Sequence, residues 1–148
     1  MCSKIIKCFL FLAVFQVLGS QASPSDEIKE EFMSMVQECS KEIDMSQEEL
    51  KAMKGVPPTT DKQKCMFACS YKKTGMMDDN GKMSAEGIRN VGKRAFQNDE
   101  EKMKLLDEYI NQCMSVNDAM VSDGPKGCER AALMYACNEK ANKQLRIF

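Results

Sequence analysis

Six cysteines, Cys39, Cys65, Cys69, Cys113, Cys128 and Cys137, constrain this 148-residue chain more than any other feature of its sequence. Two others, Cys2 and Cys8, fall in an opening stretch that reads as a secretory signal. Lys4 and Lys7 supply its positive region, the apolar run Cys8 to Leu18 follows, and Gly19, Ser20 and Ala22 are the small residues of a cleavage site placed after Ala22. The run is well short of the ~20 residues that span a bilayer, which favours a removed signal over a membrane anchor. An even count of six after export to an oxidising compartment implies three disulfides in a secreted, extracellular protein. Zinc is the competing use of cysteine, but the chain has no histidine, and no two cysteines are separated by only two residues. Spacing alone leaves fifteen pairings open.

Residues 23–148 are of a length for one domain, and their patterning is helical throughout, with no convincing strand alternation and no repeat. The fold class expected is all-α, about six helices. Ile28, Phe32, Met35, Val36 and Cys39 form one stripe of a first helix from about Asp26 to Cys39. Ser46 and Glu49 form a capping box for a short second helix that stops at Gly55, before Pro57 and Pro58. Thr60 and Gln63 repeat that logic for a third, running through Lys73 and carrying Cys65 and Cys69 one turn apart. A turn at Asp78 to Gly81 precedes a fourth helix from Ser84 to about Phe96, weakened by Gly87 and Gly92. Asn98 and Glu101 read as caps of a fifth helix reaching about Val116, and Gly124-Pro125 as the opening of a sixth. In that sixth helix Cys128 and Cys137 lie two and a half turns apart on opposite faces, with apolar residues all round between them, so it is expected to be central and buried.

Composition removes several functions. Losing residues 1–22 takes two lysines and no acid from 21 basic and 22 acidic side chains, leaving a net charge of −3. This mildly acidic balance argues against nucleic acid and against a polybasic membrane patch, and no stable membrane insertion is expected. Without histidine there is no serine or cysteine triad built on it and no His-ligated metal, so no enzyme, cofactor or metal is expected. The Asp78 turn places Asp78, Asn80 and Gly81 at the third, fifth and sixth positions of a calcium loop, but Met76 and Gly87 stand where its first acid and bidentate glutamate belong. Twelve methionines follow the signal, and their flexible thioethers suit an adaptable pocket as readily as an irregular core.

Cys65 and Cys69 with three residues between them, Cys128 and Cys137 with eight, Cys39 26 positions before Cys65, and Cys113 between the pairs form a specific set. On about six helices behind a signal peptide, this set resembles the odorant-binding and pheromone-binding proteins of insects. The segment Met76 to Gly81 is similar to that family as well. The resemblance implies pairings of Cys39 with Cys69, Cys65 with Cys128 and Cys113 with Cys137 around an internal apolar cavity. It implies a function in olfaction: a carrier that takes a small hydrophobic ligand, an odorant or pheromone, through aqueous lymph to a membrane receptor. By position relative to the cysteines, Leu106, Ile110 and Tyr135 become wall residues, and helical-face reasoning adds Phe32, Phe67, Met77, Ile88, Val91 and Phe148.

Two other readings stand beside this one: a disulfide-braced signalling or toxin-like protein acting through its surface, and a carrier of a lipid or metabolite that is not an odorant. Ile147 and Phe148 either fold back to close the cavity or fray. A monomer or weak homodimer is expected.

Overall fold

The computed structural model of the chain describes residues 24–97 and 99–146, with the side chains of residues 24–26 excepted. The signal assigned to residues 1–22, the Asn98 cap and the wall residue Phe148 lie outside the described residues. Among the described residues the fold is all-α: α1 (Pro24–Glu42), α2 (Gln47–Ala52), α3 (Asp61–Lys73), α4 (Ala85–Phe96), α5 (Glu100–Cys113) and α6 (Cys128–Leu145). Tight single turns at Met114–Asp118 and Gly124–Lys126 join α5 to α6.

Local chemistry sets the helix starts. Ser46 accepts from the Glu49 N–H while Glu49 accepts from the Ser46 N–H, and Thr60 and Gln63 repeat the exchange ahead of α3. Ser84 accepts from the Gly87 N–H at the head of α4. The cap of α5 is Asp99, which accepts from the Lys102 N–H at 3.0 Å, rather than the pair Asn98 and Glu101. Other boundaries differ from the sequence reading as well: α1 runs on past Cys39 to Glu42, and α2 ends at Ala52, before Gly55. The α-helix of α5 stops at Cys113 and tightens into the turn that follows, and Pro125 lies in its own short turn rather than in α6. Gly127, at φ +74°, breaks the chain between that turn and α6, a conformation that glycine adopts without Cβ strain.

α6 packs on α3 and on α5, α4 packs on α5, and α1 crosses α3 and α4. The principal core, which includes Ile88, Leu106, Ile110, Ala131 and Met134, lies among α4, α5 and α6. A second cluster of Cys39, Met45, Met53 and Met66 joins the end of α1 and α2 to α3. α6 is less enclosed than its all-round apolar sequence suggests: Leu133 and Ala136, three residues apart on one face, are exposed because α3 and α5 cover only two of its sides.

The structure joins Cys39 to Cys69, Cys65 to Cys128 and Cys113 to Cys137, with Cα separations of 5.8, 4.3 and 5.8 Å. These bonds tie α1 to α3, α3 to the first residue of α6, and α5 to the middle of α6. Met77 and Met83 meet in an isolated antiparallel bridge across the Asp78 turn. Inside it Asp78 Oδ1 accepts from the N–H groups of Asn80 and Lys82, so the carboxylate braces the turn.

Candidate ligand-binding cavity

Where several helices pack around one another, space is left that none of their side chains reaches. Here that space is a cavity of about 440 Å³ bounded by α1, α3, α4, α5 and α6. α1 contributes Ile28, Lys29, Phe32 and Met33, α3 contributes Phe67 and Tyr71, and Met76 lies just beyond. α4 adds Ile88, Val91, Gly92 and Ala95, α5 adds Leu106 and Tyr109, and α6 adds Met134, Tyr135 and Asn138. The volume lies within the ~300–1,000 Å³ range of small-molecule sites, and the mostly apolar wall has their usual character.

Aromatic packing orders one side of the wall. The Phe67 ring stands 4.8 Å from that of Tyr135 and 5.9 Å from that of Tyr71, in tilted arrangements that brace α3 against α6. At the rim Phe32 and Met33 are exposed, Met33 by 53%. The first half of α1, which carries them, is held across the opening by the ion pair between Glu31 and Arg94 of α4. Its second half is fixed by the Cys39–Cys69 bond and by Lys73, which pairs with Glu38 and Glu42 at 3.2 and 2.9 Å.

Tyr71, Tyr109 and Tyr135 line the cavity from three helices. Burial pushes the Tyr109 phenol up to about 12. Desolvation likewise raises Tyr71, with further upward contributions from Tyr109, Tyr135 and Glu139, and raises Tyr135, with Glu139 adding to the effect. All three are therefore neutral phenols at physiological pH. Among the described residues no group of three or more potential metal-ligating side chains is gathered, and no helix is long and apolar enough to cross a membrane.

The sequence placed nine residues at such a wall, and the structure brings six of them together: Phe32, Phe67, Ile88, Val91, Leu106 and Tyr135. Met77 and Ile110 do not line the cavity. Met77, 2% exposed, sits under the Asp78 turn, where a Cβ added to Gly127 would meet its sulfur at 2.8 Å. Ile110, 1% exposed, is one turn nearer than Leu106 to the Cys113–Cys137 bond, where α5 and α6 are drawn into solid packing. The wall residues not anticipated include Tyr71, Met76, Tyr109 and Met134. Two of them carried a signal, because Tyr71 lies one turn after Phe67 and Tyr109 three residues after Leu106.

Comparison with known proteins gives a consistent result. The chain matches the PBP/GOBP family over residues 21–141. It is 28% identical over 111 residues to general odorant-binding protein 28a of Drosophila melanogaster, covering 72% of this chain and 78% of that one. To general odorant-binding protein 19d of the same fly it is 25% identical over 109 residues, covering 72% and 73%. Its structure superposes on that of odorant-binding protein dmelOBP28a from D. melanogaster with a TM-score of 0.67 at 27% identity, covering 84% of this chain and 99% of the other. With a match that spans most of its length, six helices and three disulfides, the chain belongs to the PBP/GOBP family.

Proposed function

We propose that this protein is a secreted carrier that encloses one small apolar molecule in the cavity between α1, α3, α4, α5 and α6, moves it through an aqueous fluid and releases it at a membrane receptor. The observation that carries the proposal is the cavity of about 440 Å³, walled by apolar side chains and three tyrosines inside a disulfide-stapled bundle. Membership of the PBP/GOBP family supports it, as do relatives named for odorant binding. The signal-like residues 1–22 and the disulfides agree with export.

The physical chemistry is that of reversible transport, and no bond is made or broken. Removing about 300 Å² of apolar ligand surface from water at ~25 cal/mol per Å² is worth roughly 7 kcal/mol, a micromolar affinity before ordering costs. That range allows loading from dilute solution and release on a short timescale.

The test is a fluorescence titration of the oxidised, delipidated mature chain with N-phenylnaphthylamine, followed by displacement with volatile alcohols, esters and fatty acids. One saturable site with micromolar affinity and selective displacement is expected. A flat titration of a protein that retains its helical circular dichroism would overturn the proposal and favour a role for the outer surface.

A further inference from the structure

We propose that Met33 is an oxidation site at the mouth of the cavity: hydrogen peroxide converts its thioether to a sulfoxide, and the oxidised chain holds an apolar ligand more weakly. The ligand effect rests on the carrier reading; the oxidation itself does not.

The position of Met33 on α1 makes it the exposed part of the wall. Ile28, Phe32 and Met35 repeat at helical spacing along the stripe of α1 that faces the bundle. Met33 follows Phe32 by one residue, about 100° round the helix, and lies one turn after Lys29 on the flank of that stripe. There it lines the cavity and is nevertheless 53% exposed, so its side chain borders both the ligand space and water. Twelve methionines lie at or beyond Met33, all among the described residues, and of these only Met33 and Met120 are exposed. The other wall methionines are better protected, Met134 being 2% exposed and Met76 half-buried. Met120 belongs to the linker between α5 and α6 and does not line the cavity. The chain therefore offers peroxide two open thioethers, one in the wall and one remote from it. Cys39, Cys65, Cys69, Cys113, Cys128 and Cys137 are all paired, which leaves no free thiol among the described residues to take the oxidant first.

The reaction needs no further reagent. The sulfur lone pair attacks one peroxide oxygen, and the S–O bond forms as the O–O bond breaks. The proton on the transferred oxygen passes to the departing one, which leaves as water; the sulfur loses two electrons and the peroxide gains them. An apolar, flexible side chain becomes a polar one. The sulfoxide oxygen is a hydrogen-bond acceptor that would lose its water against an apolar ligand, so the side chain turns to solvent and the ligand loses that contact.

The experiment treats the mature chain, its disulfides intact, with hydrogen peroxide, removes the peroxide with catalase, and follows both peptide masses and N-phenylnaphthylamine binding. Met33 and Met120 are expected to convert before Met76 and Met134, and saturation with the probe beforehand to slow Met33 but not Met120. After conversion of Met33, probe affinity is expected to fall about three- to tenfold with helical circular dichroism unchanged. Methionine sulfoxide reductase should restore it. Met120→Leu is expected to keep the wild-type affinity and the full effect of peroxide, whereas Met33→Leu, measured against its own untreated affinity, should lose that effect. Unchanged affinity after complete conversion of Met33, an equal loss in Met33→Leu, or conversion of Met33 no sooner than Met134 would overturn the proposal while leaving the carrier reading intact. Failure of the probe to saturate the untreated chain would remove the carrier reading and the ligand effect with it.

Discussion

At the residue scale, the titratable groups of this chain give it an unusual pH profile. It has no histidine, so no side chain with an ordinary pKa changes charge between mildly acidic and neutral pH. Glu129 is held below the usual carboxylate range by accepting hydrogen bonds from Ser122, and Glu49 by its hydrogen bond from the Ser46 N–H and its pairing with Lys62. For a depressed carboxylate the stabilisation is present above the unfolded value and disappears only as pH falls through the lower folded value. Ligand affinity and thermal midpoint are therefore expected to be flat between neutral pH and about 5. A steep loss of bound probe across that interval would contradict this.

The alkaline side differs in sign. Tyr109 has a folded value of about 12 against an ordinary 10.0, so its contribution is complete below the unfolded value and fades as pH rises between the two. Its loss amounts to roughly 2–3 kcal/mol. Urea midpoints measured across that window should fall for the wild type and fall less steeply for Tyr109→Phe. The same residue marks a limit of reading sequence. Leu106 and Ile110 occupy one stripe of α5, yet one faces the cavity and the other solid core. Periodicity identifies a buried face and carries no information on which part of that face borders empty space.

At the scale of elements, α4 illustrates what was legible and what was not. Ser84 and the stripe of Ile88 and Val91 predicted it, and its two glycines looked like weaknesses. The packing gives each a reason. A Cβ on Gly87 would lie 1.7 Å from the Gly75 carbonyl oxygen, and one on Gly92 would lie 2.1 Å from Leu106 Cδ2. The first clash is with backbone and the second with a side chain that can swing into the cavity. Gly87→Ala is therefore expected to cost about 3 kcal/mol and Gly92→Ala about 1 kcal/mol by urea denaturation, with Gly92→Ala also weakening ligand binding as Leu106 fills the space. The reverse order of destabilisation would show that this account of the α3–α4 contact is wrong. The junction of α5 and α6 departs from its local sequence signal for a related reason. Pro125 is a sound helix-start signal, but Gly127 lies against Gly81 of the Asp78 turn, and that tertiary contact, invisible in a local window, separates the Pro125 turn from α6.

At the scale of the whole molecule, three disulfides hold open a bundle whose centre is not filled. The sequence separations they close are 30, 63 and 24 residues, and chain-entropy reasoning assigns roughly 3–4 kcal/mol to each. A domain of this size has about 5–15 kcal/mol of net stability, so the staples are comparable to the whole. Replacing Cys65 and Cys128 together by alanine opens the longest loop and frees the first turn of α6 from α3. The expected result is a loss of about 4 kcal/mol in denaturant unfolding, with probe affinity falling before helicity does. Unchanged stability would mean that the bundle is held by packing alone. The cysteine spacing and helical periodicity made the fold class readable. The cavity's position was only partly so, because it depends on how α1 lies across α3 and α4.

The central claim is that an apolar ligand occupies this cavity rather than the second cluster or the outer surface, and the methionines test it directly. Two-dimensional NMR of the mature protein with isotope-labelled methionine methyl groups, titrated with an apolar ligand, reads each site separately. Met76 and Met134 line the cavity, whereas Met45, Met53 and Met66 lie in the cluster between α1, α2 and α3. Ligand-to-methyl nuclear Overhauser effects at Met76 and Met134, and none at Met45, Met53 or Met66, are the predicted result. Effects confined to the second cluster, or to the exposed Met120, would contradict the account.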